Sequence, residues 1–300
     1  MEPIQKPKIS VCVITYNQES YIRQCLQSIV GQEADFDFEV IVSDDCSIDG
    51  TRAIVHEFAE RFPALIKATF QESHIGGTKN YLFTHGLAQG KYVAHIDGDD
   101  LMLPGKIRLQ ARYLENNPEL VAVWHRVITI AKDGRISDPP PPSGVEPISQ
   151  RLVLQRGFAG HHSSLMYRRE KKPALGSFEE VLDFHISVEL LKNGNGAILP
   201  NVLGGYRKGV GAQTVSRGRH TKLVKRALDY YLTVYPHYSP EINRLAFSLF
   251  VRESIAGHCE AISLFHTFLM SLNARTPVSV ASECALMTKK TIAKLFSYFA

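Results

Sequence analysis

The sequence predicts an α/β fold with a mainly parallel sheet flanked by helices, followed by a helical C-terminal region. Apolar runs rich in β-branched residues, at 9–15, 39–43 and 92–96, alternate with helical patterns at intervals of about 30 residues. This alternation is typical of right-handed βαβ units, whose strands are parallel. From residue 215 onward only helical patterns occur. We therefore expect an α/β domain over 1–214 and a helical region over 215–300.

The hydrophobic pattern predicts the elements of the α/β domain one after another. Residues 9–15 are apolar almost without interruption, which is typical of a strand that is covered on both faces. Ile22, Leu26 and Ile29 then recur at helical spacing and share one face of the following helix. The same analysis predicts further strands at 39–43, 65–70, 92–96, 120–130 and 165–167, and further helices at 54–62, 80–88, 106–117 and 188–191.

Composition indicates a globular chain of ordinary charge. Its 300 residues are 44% hydrophobic and 21% charged, and the formal net charge is +4. Because this charge is small, and aromatic and basic residues do not interleave as they do in RNA-binding surfaces, we expect no nucleic-acid partner. The polar N-terminus has no apolar segment before a cleavage site, and no run of about 18 apolar residues occurs. The five cysteines form no C-x-x-C pair and are expected to be core thiols of a cytoplasmic protein.

A dense acidic group follows the strand predicted at 92–96. The run Asp97-Gly98-Asp99-Asp100 places three carboxylates within four residues. Like charges this close repel one another, so a cation would stabilise them. Asp97 and Asp99 are two residues apart and face the same side of an extended chain, which suits a hard divalent ion on a diphosphate. The alternative is a solvated Asp-Gly turn that merely ends the strand.

Two other predicted strands also end in polar clusters. Thr15-Tyr16-Asn17 follows the first strand, and Asp44-Asp45 follows the second. In parallel sheets, ligands bind beyond the carboxyl ends of the strands, so these clusters are expected to converge. The sequence has neither a G-x-G-x-x-G segment after the first strand nor a G-x-x-x-x-G-K-[ST] segment. A nucleotide bridged by a metal ion to carboxylates therefore fits the sequence better than phosphates cradled by glycines.

Taken together, these segments resemble family 2 glycosyltransferases of the GT-A fold. The resemblance is carried by residues 10–17 (S-V-C-V-I-T-Y-N), by 44–51 (D-D-C-S-I-D-G-T) and by Gly90-Lys91-Tyr92 leading into the acidic group at 97–100. The order and separation of these segments match the family, as does Pro104-Gly105-Lys106-Ile107 downstream. The similarity covers about the first 210 residues. It implies an inverting enzyme that depends on a nucleotide-diphosphate sugar.

The resemblance also implies a nucleotide site. The Tyr16 ring would pack on the nucleobase, and Asp45, assisted by Asp44, would accept a hydrogen bond from the uracil N–H. Asn80 would contact the nucleotide, although an N-terminal helix cap is an alternative role for it. The implied nucleotide-binding residues are Ile14, Thr15, Tyr16, Asn17, Asp44, Asp45, Asn80, Asp97 and Arg207.

A divalent metal is implied by the same resemblance. Asp99 would ligate the Mn²⁺ or Mg²⁺ that bridges the diphosphate, and Asp97 would contact the ribose or a metal-bound water. The metal would neutralise charge on the departing nucleoside diphosphate. Tyr206-Arg207 resembles the closing pair of the family, with Arg207 meeting the pyrophosphate over the closed site.

An inverting transfer needs a carboxylate that takes the proton of the acceptor hydroxyl. Residues 176–184 (G-S-F-E-E-V-L-D-F) resemble the family's base-containing segment, which implies Asp183 as the base. Leu182 stands where the family often has Glu, so Glu180 is the substitute, and a helix cap is an alternative role for Asp183. His161 and His162 would face opposite ways in a strand, so we expect a pocket lining or a polar loop there rather than a zinc site.

The C-terminal region departs from the α/β pattern. Its last segment, 289–299, is basic and amphipathic and would suit an anionic membrane surface near a lipid-linked acceptor. The alternative is a helical appendage for self-association or for packing on the catalytic domain.

The resulting hypothesis is a metal-dependent glycosyltransferase that moves a sugar from a UDP-linked donor to a glycan or lipid-linked acceptor in surface polysaccharide biosynthesis. Within 1–214, we expect a nucleotide half at about 1–118 and an acceptor half at about 119–214. One alternative is a catalytically inactive nucleotide-sugar-binding or scaffold protein. The other is a sugar nucleotidyltransferase, which would need a Gly/Arg/Lys-rich triphosphate loop that is absent after the first strand.

Overall fold

The computed structural model describes residues 7–139, 144–210, 217–258, 261–273, 276–278 and 280–281. The chain divides into two compact units. The first unit comprises residues 1–149 and 159–214, and the second comprises 150–158 and 215–300. The second unit therefore includes a short stretch from within the α/β region.

A mixed sheet forms the centre of the first unit. Its described strands are β1 (Ile9–Thr15), β2 (Phe38–Asp44), β3 (Ile66–Phe70), β4 (Tyr92–Asp97), β5 (Leu101–Met102), β6 (Leu120–Ile130), β7 (Ile136–Ser137), β8 (Glu146–Ile148), β9 (Met166–Arg168) and β10 (Asn195–Arg207). The main order is β3-β2-β1-β4-β9-β6-β10-β5, while β7 pairs with β6 and β8 pairs with β10.

Strands β3, β2, β1 and β4 are parallel, as the βαβ pattern predicts. Strand β9 then runs antiparallel between β4 and β6, and β6 is parallel to β10. The predicted α/β class with a mainly parallel sheet and helical flanks is thus confirmed.

Helices connect the strands of the first unit and form most of the second. The described helices are α1 (Glu19–Val30), α2 (Thr51–Arg61), α3 (Gly77–Gly86), α4 (Lys106–Asn116), α5 (Gln150–Arg156), α6 (Asp183–Leu191), α7 (Arg217–Val234), α8 (Ser239–Ile255) and α9 (Ala261–Met270). Helix α5 belongs to the second unit together with α7, α8 and α9.

The core of the first unit is built from the predicted apolar strands. Val11 and Val13 of β1 are fully buried, and Ile22, Leu26 and Ile29 of α1 pack into the same cluster. Burying a side chain of this size contributes roughly 1.5–3 kcal/mol. The central strands therefore hold their carboxyl ends on a rigid base.

The predicted elements omit the longest strand, β10. Its sequence, N-G-A-I-L-P-N-V-L-G-G-Y-R, contains proline and glycines that normally count against a strand. In the structure, a Cβ on Gly196 would lie 2.8 Å from the carbonyl oxygen of Ala122 in β6. The glycine thus permits a close approach of two strands, and the register of β10 against β6 is irregular.

Two of the five predicted core thiols are confirmed: Cys12 and Cys25 are fully buried free thiols. The prediction is wrong for Cys46, which is only partly buried because it lies in the turn after β2. Cys259 and Cys284 lie outside the described residues, as do residues 140–143 and the basic segment at 289–299.

Helices α8 and α9 pack on each other within the second unit through aromatic side chains. The rings of Phe247 and Phe268 lie 5.0 Å apart, and those of Phe250 and Phe265 lie 4.9 Å apart. Among the described helices, none has the length and hydropathy required to cross a membrane.

Candidate active site

Three strand ends meet at the carboxyl edge of the parallel sheet. In the register of β1 with β2, Thr15 is opposite Asp44, and in the register of β1 with β4, Ile14 is opposite Asp97. The backbone N–H of Gly98 donates to the carbonyl of Ile14 at 2.9 Å, and that of Asp45 donates to the carbonyl of Thr15 at 3.0 Å. The polar clusters at the three strand ends are therefore adjacent in space.

The glycine within the acidic run is required by close packing. A Cβ at Gly98 would lie 2.5 Å from Oε1 of Gln18 and 2.9 Å from Cβ of Thr15. Any side chain there would push the acidic turn away from the end of β1. The Asp-Gly-Asp spacing thus lets the carboxylates of β4 lie against the first strand.

The acidic group is largely buried. Asp99 and Asp100 are 7% and 3% exposed, whereas the Asp97 side chain is 35% exposed. Burial, followed by the nearby charge of Asp97, raises the pKa of Asp99 to about 6 and that of Asp100 to about 8. This part of the chain consequently brings together carboxyl groups whose ionised forms are disfavoured unless a cation is present.

Ser163 connects the carboxylates to the loop before β9. Its hydroxyl donates to Asp100 at 2.5 Å and lies 3.3 Å from an oxygen of Asp97, while the Asp97 N–H donates to Ser163 Oγ at 3.0 Å. Nothing in the local sequence singles out this serine, because its partners are 63 and 66 residues away.

Lys106 lies buried beside the acidic group. It is fully buried at the start of α4, and its side-chain nitrogen donates to the Ser163 carbonyl at 2.5 Å. Burial lowers the pKa of Lys106 to about 7, against the opposing effect of Asp100. In the sequence, this lysine stands out only through the segment 104–107 that matches the family.

Arg207, the last residue of β10, holds the acidic turn through hydrogen bonds. Its backbone N–H donates to a carboxylate oxygen of Asp100 at 2.9 Å, and its guanidinium donates to the carbonyl of Asp99 at 2.5 Å. The guanidinium also donates to Gln24 and lies 5.2 Å from the centroid of the Tyr21 ring. Arg207 is therefore brought to the site, where it fixes the backbone of Asp99; its contact with a pyrophosphate stays a prediction.

The predicted uracil-binding residues lie beneath the loop that precedes α3. Asp45 is 1% exposed, and its two carboxylate oxygens accept hydrogen bonds from the N–H groups of Ile75 and Gly76 at 2.7 and 2.9 Å. The His74 ring lies 3.0 Å from Asp45 and stacks on Tyr16 with the ring centroids 4.2 Å apart. The His74 imidazole thus covers the aromatic face that the sequence assigns to a nucleobase.

Asp44 and Asn17 hold the turn after β2. Asp44 is fully buried, and both the N–H and the hydroxyl of Ser47 donate to its carboxylate. Asn17 adopts a φ of 50° and accepts a hydrogen bond from the Ile48 N–H at 2.9 Å. The carboxylate of Asp44 therefore holds this turn, and its assistance to a uracil contact stays a prediction.

Asn80 is directed into the fold. It lies inside α3, is 2% exposed, and exchanges hydrogen bonds with the hydroxyl and carbonyl of Ser43 in β2. These bonds join α3 to the strand that leads to Asp44, and the nucleotide contact expected of Asn80 stays a prediction. The alternative role as an N-terminal cap is wrong, since Gly76 occupies that position of α3.

Asp183 lies at the first residue of α6, close to the acidic strand end. Its Oδ1 is 3.4 Å from Nδ1 of His162, and its side chain is 66% exposed. Asp183 is also among the charges that act on Asp97 and on Tyr206. The structure therefore brings the expected base to the same site as the expected metal ligands, while Glu180 lies three residues before the helix.

Four aromatic side chains continue the site into the core. Nε2 of His95 lies 3.2 Å from a carboxylate oxygen of Asp97, and Nδ1 of His95 lies 2.9 Å from Nε2 of His85. Nδ1 of His85 in turn lies 2.9 Å from the Tyr167 hydroxyl. The rings of His95 and His162 stack with centroids 3.8 Å apart and planes 25° apart. The arrangement is not visible in the sequence, because its members come from α3, β4, β9 and the loop before β9.

The ligand atoms of His95, Asp97 and His162 lie within 4.8 Å of one another, so this group could hold a metal ion. The stacking of the two imidazoles keeps their in-plane lone pairs in two separate, nearly parallel planes. One ring would have to rotate out of the stack before both nitrogens could face one ion. Carboxylates of the acidic turn are the ligands that Mn²⁺ and Mg²⁺ prefer.

Sequence relatives share the region that forms this site. "Uncharacterized protein Rv1520" of Mycobacterium tuberculosis is 33% identical over 208 residues, which are 67% of this chain and 58% of that protein. The amylovoran biosynthesis glycosyltransferase AmsE of Erwinia amylovora is 26% identical over 231 residues, covering 74% of this chain and 84% of AmsE. The chain thus spans less than two thirds of the length of the first of these relatives.

Solved structures share the fold. The crystal structure of S. aureus TarS 1-349 in complex with UDP-GlcNAc matches with a TM-score of 0.66 and 20% identity, covering 91% of this chain and 83% of that one. The mannosyltransferase PcManGT from Pyrobaculum calidifontis, in complex with GDP-Man and Mn2+, matches with a TM-score of 0.59 and 18% identity over 97% and 84% of the two chains.

The family model described as "Glycosyl transferase family 2" matches residues 10–172, which is more than half of the chain. This range contains the strand ends, the acidic turn and Ser163. It ends shortly before Asp183 and α6. The chain belongs to glycosyl transferase family 2.

Proposed function

We propose that this chain transfers a sugar from a nucleoside-diphosphate donor to a hydroxyl group of a glycan or lipid-linked acceptor, with inversion at the anomeric carbon. The observation that carries the proposal is the convergence of the acidic end of β4 with Asp183 of α6. The end of β4 has buried carboxylates that can hold a metal-bound diphosphate, and Asp183 is an exposed carboxylate that an acceptor can reach. TarS bound to UDP-GlcNAc and PcManGT bound to GDP-Man support a nucleotide-sugar donor.

The residues of the acidic turn fit a divalent metal. Buried carboxyls whose pKa values are raised by burial and by each other's charge are a donor set that a cation stabilises. We assign Asp99, with Asp97, as the residues that would hold Mn²⁺ or Mg²⁺. When bound, the metal neutralises negative charge on the departing diphosphate. Arg207 keeps the Asp99 backbone in place for this task, and Ser163 does the same for Asp97.

The nucleoside is assigned to the position beside Tyr16 and Asp45. A base would take the place of the His74 ring on Tyr16, and its N–H would reach Asp45 once the loop at 74–76 has moved. Uracil suits this position because it presents an N–H donor to a carboxylate acceptor. We therefore propose a UDP-linked sugar as the donor.

Asp183 is proposed as the general base. It would take the proton of the acceptor hydroxyl while that oxygen attacks the anomeric carbon and the bond to the diphosphate breaks. Its exposure leaves room for an acceptor, and it begins α6 close to the acidic strand end.

A role in surface polysaccharide synthesis is supported by the similarity to AmsE, whose name refers to amylovoran biosynthesis. The free thiols Cys12 and Cys25 suit a reducing cytoplasm, where the chain would act. The helical region over 215–300 would serve self-association or contact with the inner face of the membrane. The α/β domain is proposed to end near residue 214.

Calorimetric titration with UDP tests the donor site first. Wild-type protein is titrated with and without Mn²⁺, next to Asp99→Ala and the exposed control Asp138→Asn. Tight binding that requires both Mn²⁺ and Asp99, but not Asp138, would support the assignment. Equal binding with and without metal, or by Asp99→Ala, would refute it, and GDP, dTDP and CMP would then be titrated.

Release of nucleoside diphosphate from UDP-GlcNAc and GDP-mannose tests the chemistry. Loss of this release in Asp183→Asn, with UDP binding unchanged, is expected of a base. An equal background rate in wild type and Asp183→Asn would instead favour the inactive nucleotide-sugar-binding protein.

A further inference from the structure

His162 lies between the acidic strand end and the proposed base. Its Nδ1 is 3.4 Å from Oδ1 of Asp183, and one of its ring nitrogens lies within 4.8 Å of a carboxylate oxygen of Asp97. The His162 side chain is only 12% exposed. It is thus a buried group that touches the exposed carboxylate proposed to accept the substrate's proton.

The position of His162 is fixed by the histidine stack. Its ring lies 3.8 Å from that of His95, and the Tyr81 ring is 5.3 Å away. His95 cannot turn without breaking the contacts that its two ring nitrogens make with Asp97 and His85. Because the ring of His95 is fixed by these hydrogen bonds, the His162 ring that stacks on it is held in place and can orient a neighbouring group.

Asp183 has no comparable support of its own. It is 66% exposed at the beginning of α6, and among the described residues its close charged contact is with His162. An exposed aspartate at a helix start can rotate into solvent, away from an acceptor. A misplacement of about 1 Å is enough to slow a reaction roughly 100-fold.

We propose that His162 is a positioning residue, which donates from Nδ1–H to Asp183 and holds this carboxylate toward the acidic strand end. The proton is assigned to Nδ1 because that nitrogen faces a carboxylate, whereas Nε2 is buried and has no hydrogen-bond partner among the described residues. The proposal rests on the proposed role of Asp183. It also implies that the stack of His95 and His162 sets the distance between the proposed donor side and the proposed acceptor side. His95 contacts Asp97 on the donor side, and His162 contacts Asp183 on the acceptor side.

Side-chain replacements can separate this role from simple packing. Asn places an N–H near the position of Nδ1, Gln places one near Nε2, and Leu has none. We expect His162→Asn to keep most of the nucleoside-diphosphate release, and His162→Gln and His162→Leu to lose roughly 10–100-fold in kcat with little change in KM. His56→Leu is the matched control, since His56 makes a 3.4 Å contact with Glu60 on the surface.

A double-mutant cycle gives the decisive kinetic comparison. If His162 acts through Asp183, His162→Leu causes no further loss in the Asp183→Asn background. Losses that multiply would overturn the proposal, as would equal losses in the Asn, Gln and Leu variants. Calorimetry with UDP and Mn²⁺ accompanies each variant, so that a damaged donor site or a failure to fold is recognised.

The tautomer of His162 can be measured even if neither sugar donor is turned over. Long-range ¹H–¹⁵N correlations on protein labelled at histidine are expected to show the Nδ1–H form in wild type and a shift in the tautomer balance in Asp183→Ala. An Nε2–H form in wild type, or no change in Asp183→Ala, would overturn the contact. Absence of turnover together with the expected tautomer would count against the proposed function alone.

Discussion

Replacing Asp99 by Asn is expected to stabilise the metal-free protein while removing its proposed metal site. Asp99 is 7% exposed, and burial together with the charge of Asp97 raises its pKa from 3.8 to about 6. The difference between these values corresponds to roughly 3 kcal/mol by which ionisation of Asp99 destabilises the folded state. Asn has nearly the same shape and carries no charge, so it avoids this cost.

The pH dependence of the effect follows from its sign. A carboxyl whose pKa is higher in the folded than in the unfolded state favours folding at low pH, and this contribution is lost as the pH rises through the folded value. The advantage of Asp99→Asn should therefore be small near pH 4 and grow up to about pH 6, beyond which it stays constant.

Urea denaturation in the presence of a chelator measures this advantage at about pH 4.5 and pH 8. Asp138→Asn, a change at an exposed carboxylate, serves as the control. Added Mn²⁺ should reverse the order at pH 8, because only the wild type can gain from binding it. Equal stability of wild type and Asp99→Asn at pH 8, or an advantage that is the same at both pH values, would refute the reasoning.

Three further changes test other parts of the site. Tyr16→Leu should weaken Mn²⁺-dependent UDP binding by about 1–3 kcal/mol in calorimetry, because it removes the stacking face for the base, and unchanged affinity would exclude stacking. Gly90→Ala should destabilise the fold by at least about 1–3 kcal/mol in urea denaturation, since its Cβ would lie 2.5 Å from the backbone nitrogen of Ser10. Gly176→Ala is the control, because a Cβ there has open space and should leave the stability unchanged. Arg207→Lys should lower both thermal stability and UDP affinity, because a lysine cannot reach the Asp99 carbonyl and Gln24 together; loss of UDP affinity at full stability would favour direct pyrophosphate binding instead.

The fold was largely predictable because the strands near the site are covered on both faces. Strands β1, β2 and β4 are continuous apolar runs, and their polar ends stand out against them in the sequence. Strand β10 was missed because its glycines and proline are tolerated only by the particular approach of β6 and the irregular register between them. Local propensity does not contain that tertiary information.

Within the site, residues that follow a strand end could be predicted, and residues that support them could not. Asp97 and Asp99 are visible because their spacing has a chemical meaning in the sequence itself. The partners of Ser163 and Lys106 are 57 or more residues away in the sequence. The partner of His162, Asp183, lies on another element. Asn80 also has a structural role that the sequence does not indicate, since its side chain bonds to Ser43, while its contact with a nucleotide stays a prediction.

The contacts of the acidic turn also bear on the expected division into a nucleotide half and an acceptor half. The carboxylates of β4 depend on Ser163 from the loop before β9 and on Arg207 from β10, both of which lie in the expected acceptor half. Strand β9 pairs with both β4 and β6, so a single sheet runs through both halves. A nucleotide half cut near residue 118 would lose the hydroxyl and the backbone N–H that hold Asp100, leaving a buried acidic group with fewer partners. We therefore expect the two halves to fold as one unit, in which the proposed metal ligands depend on side chains from both halves.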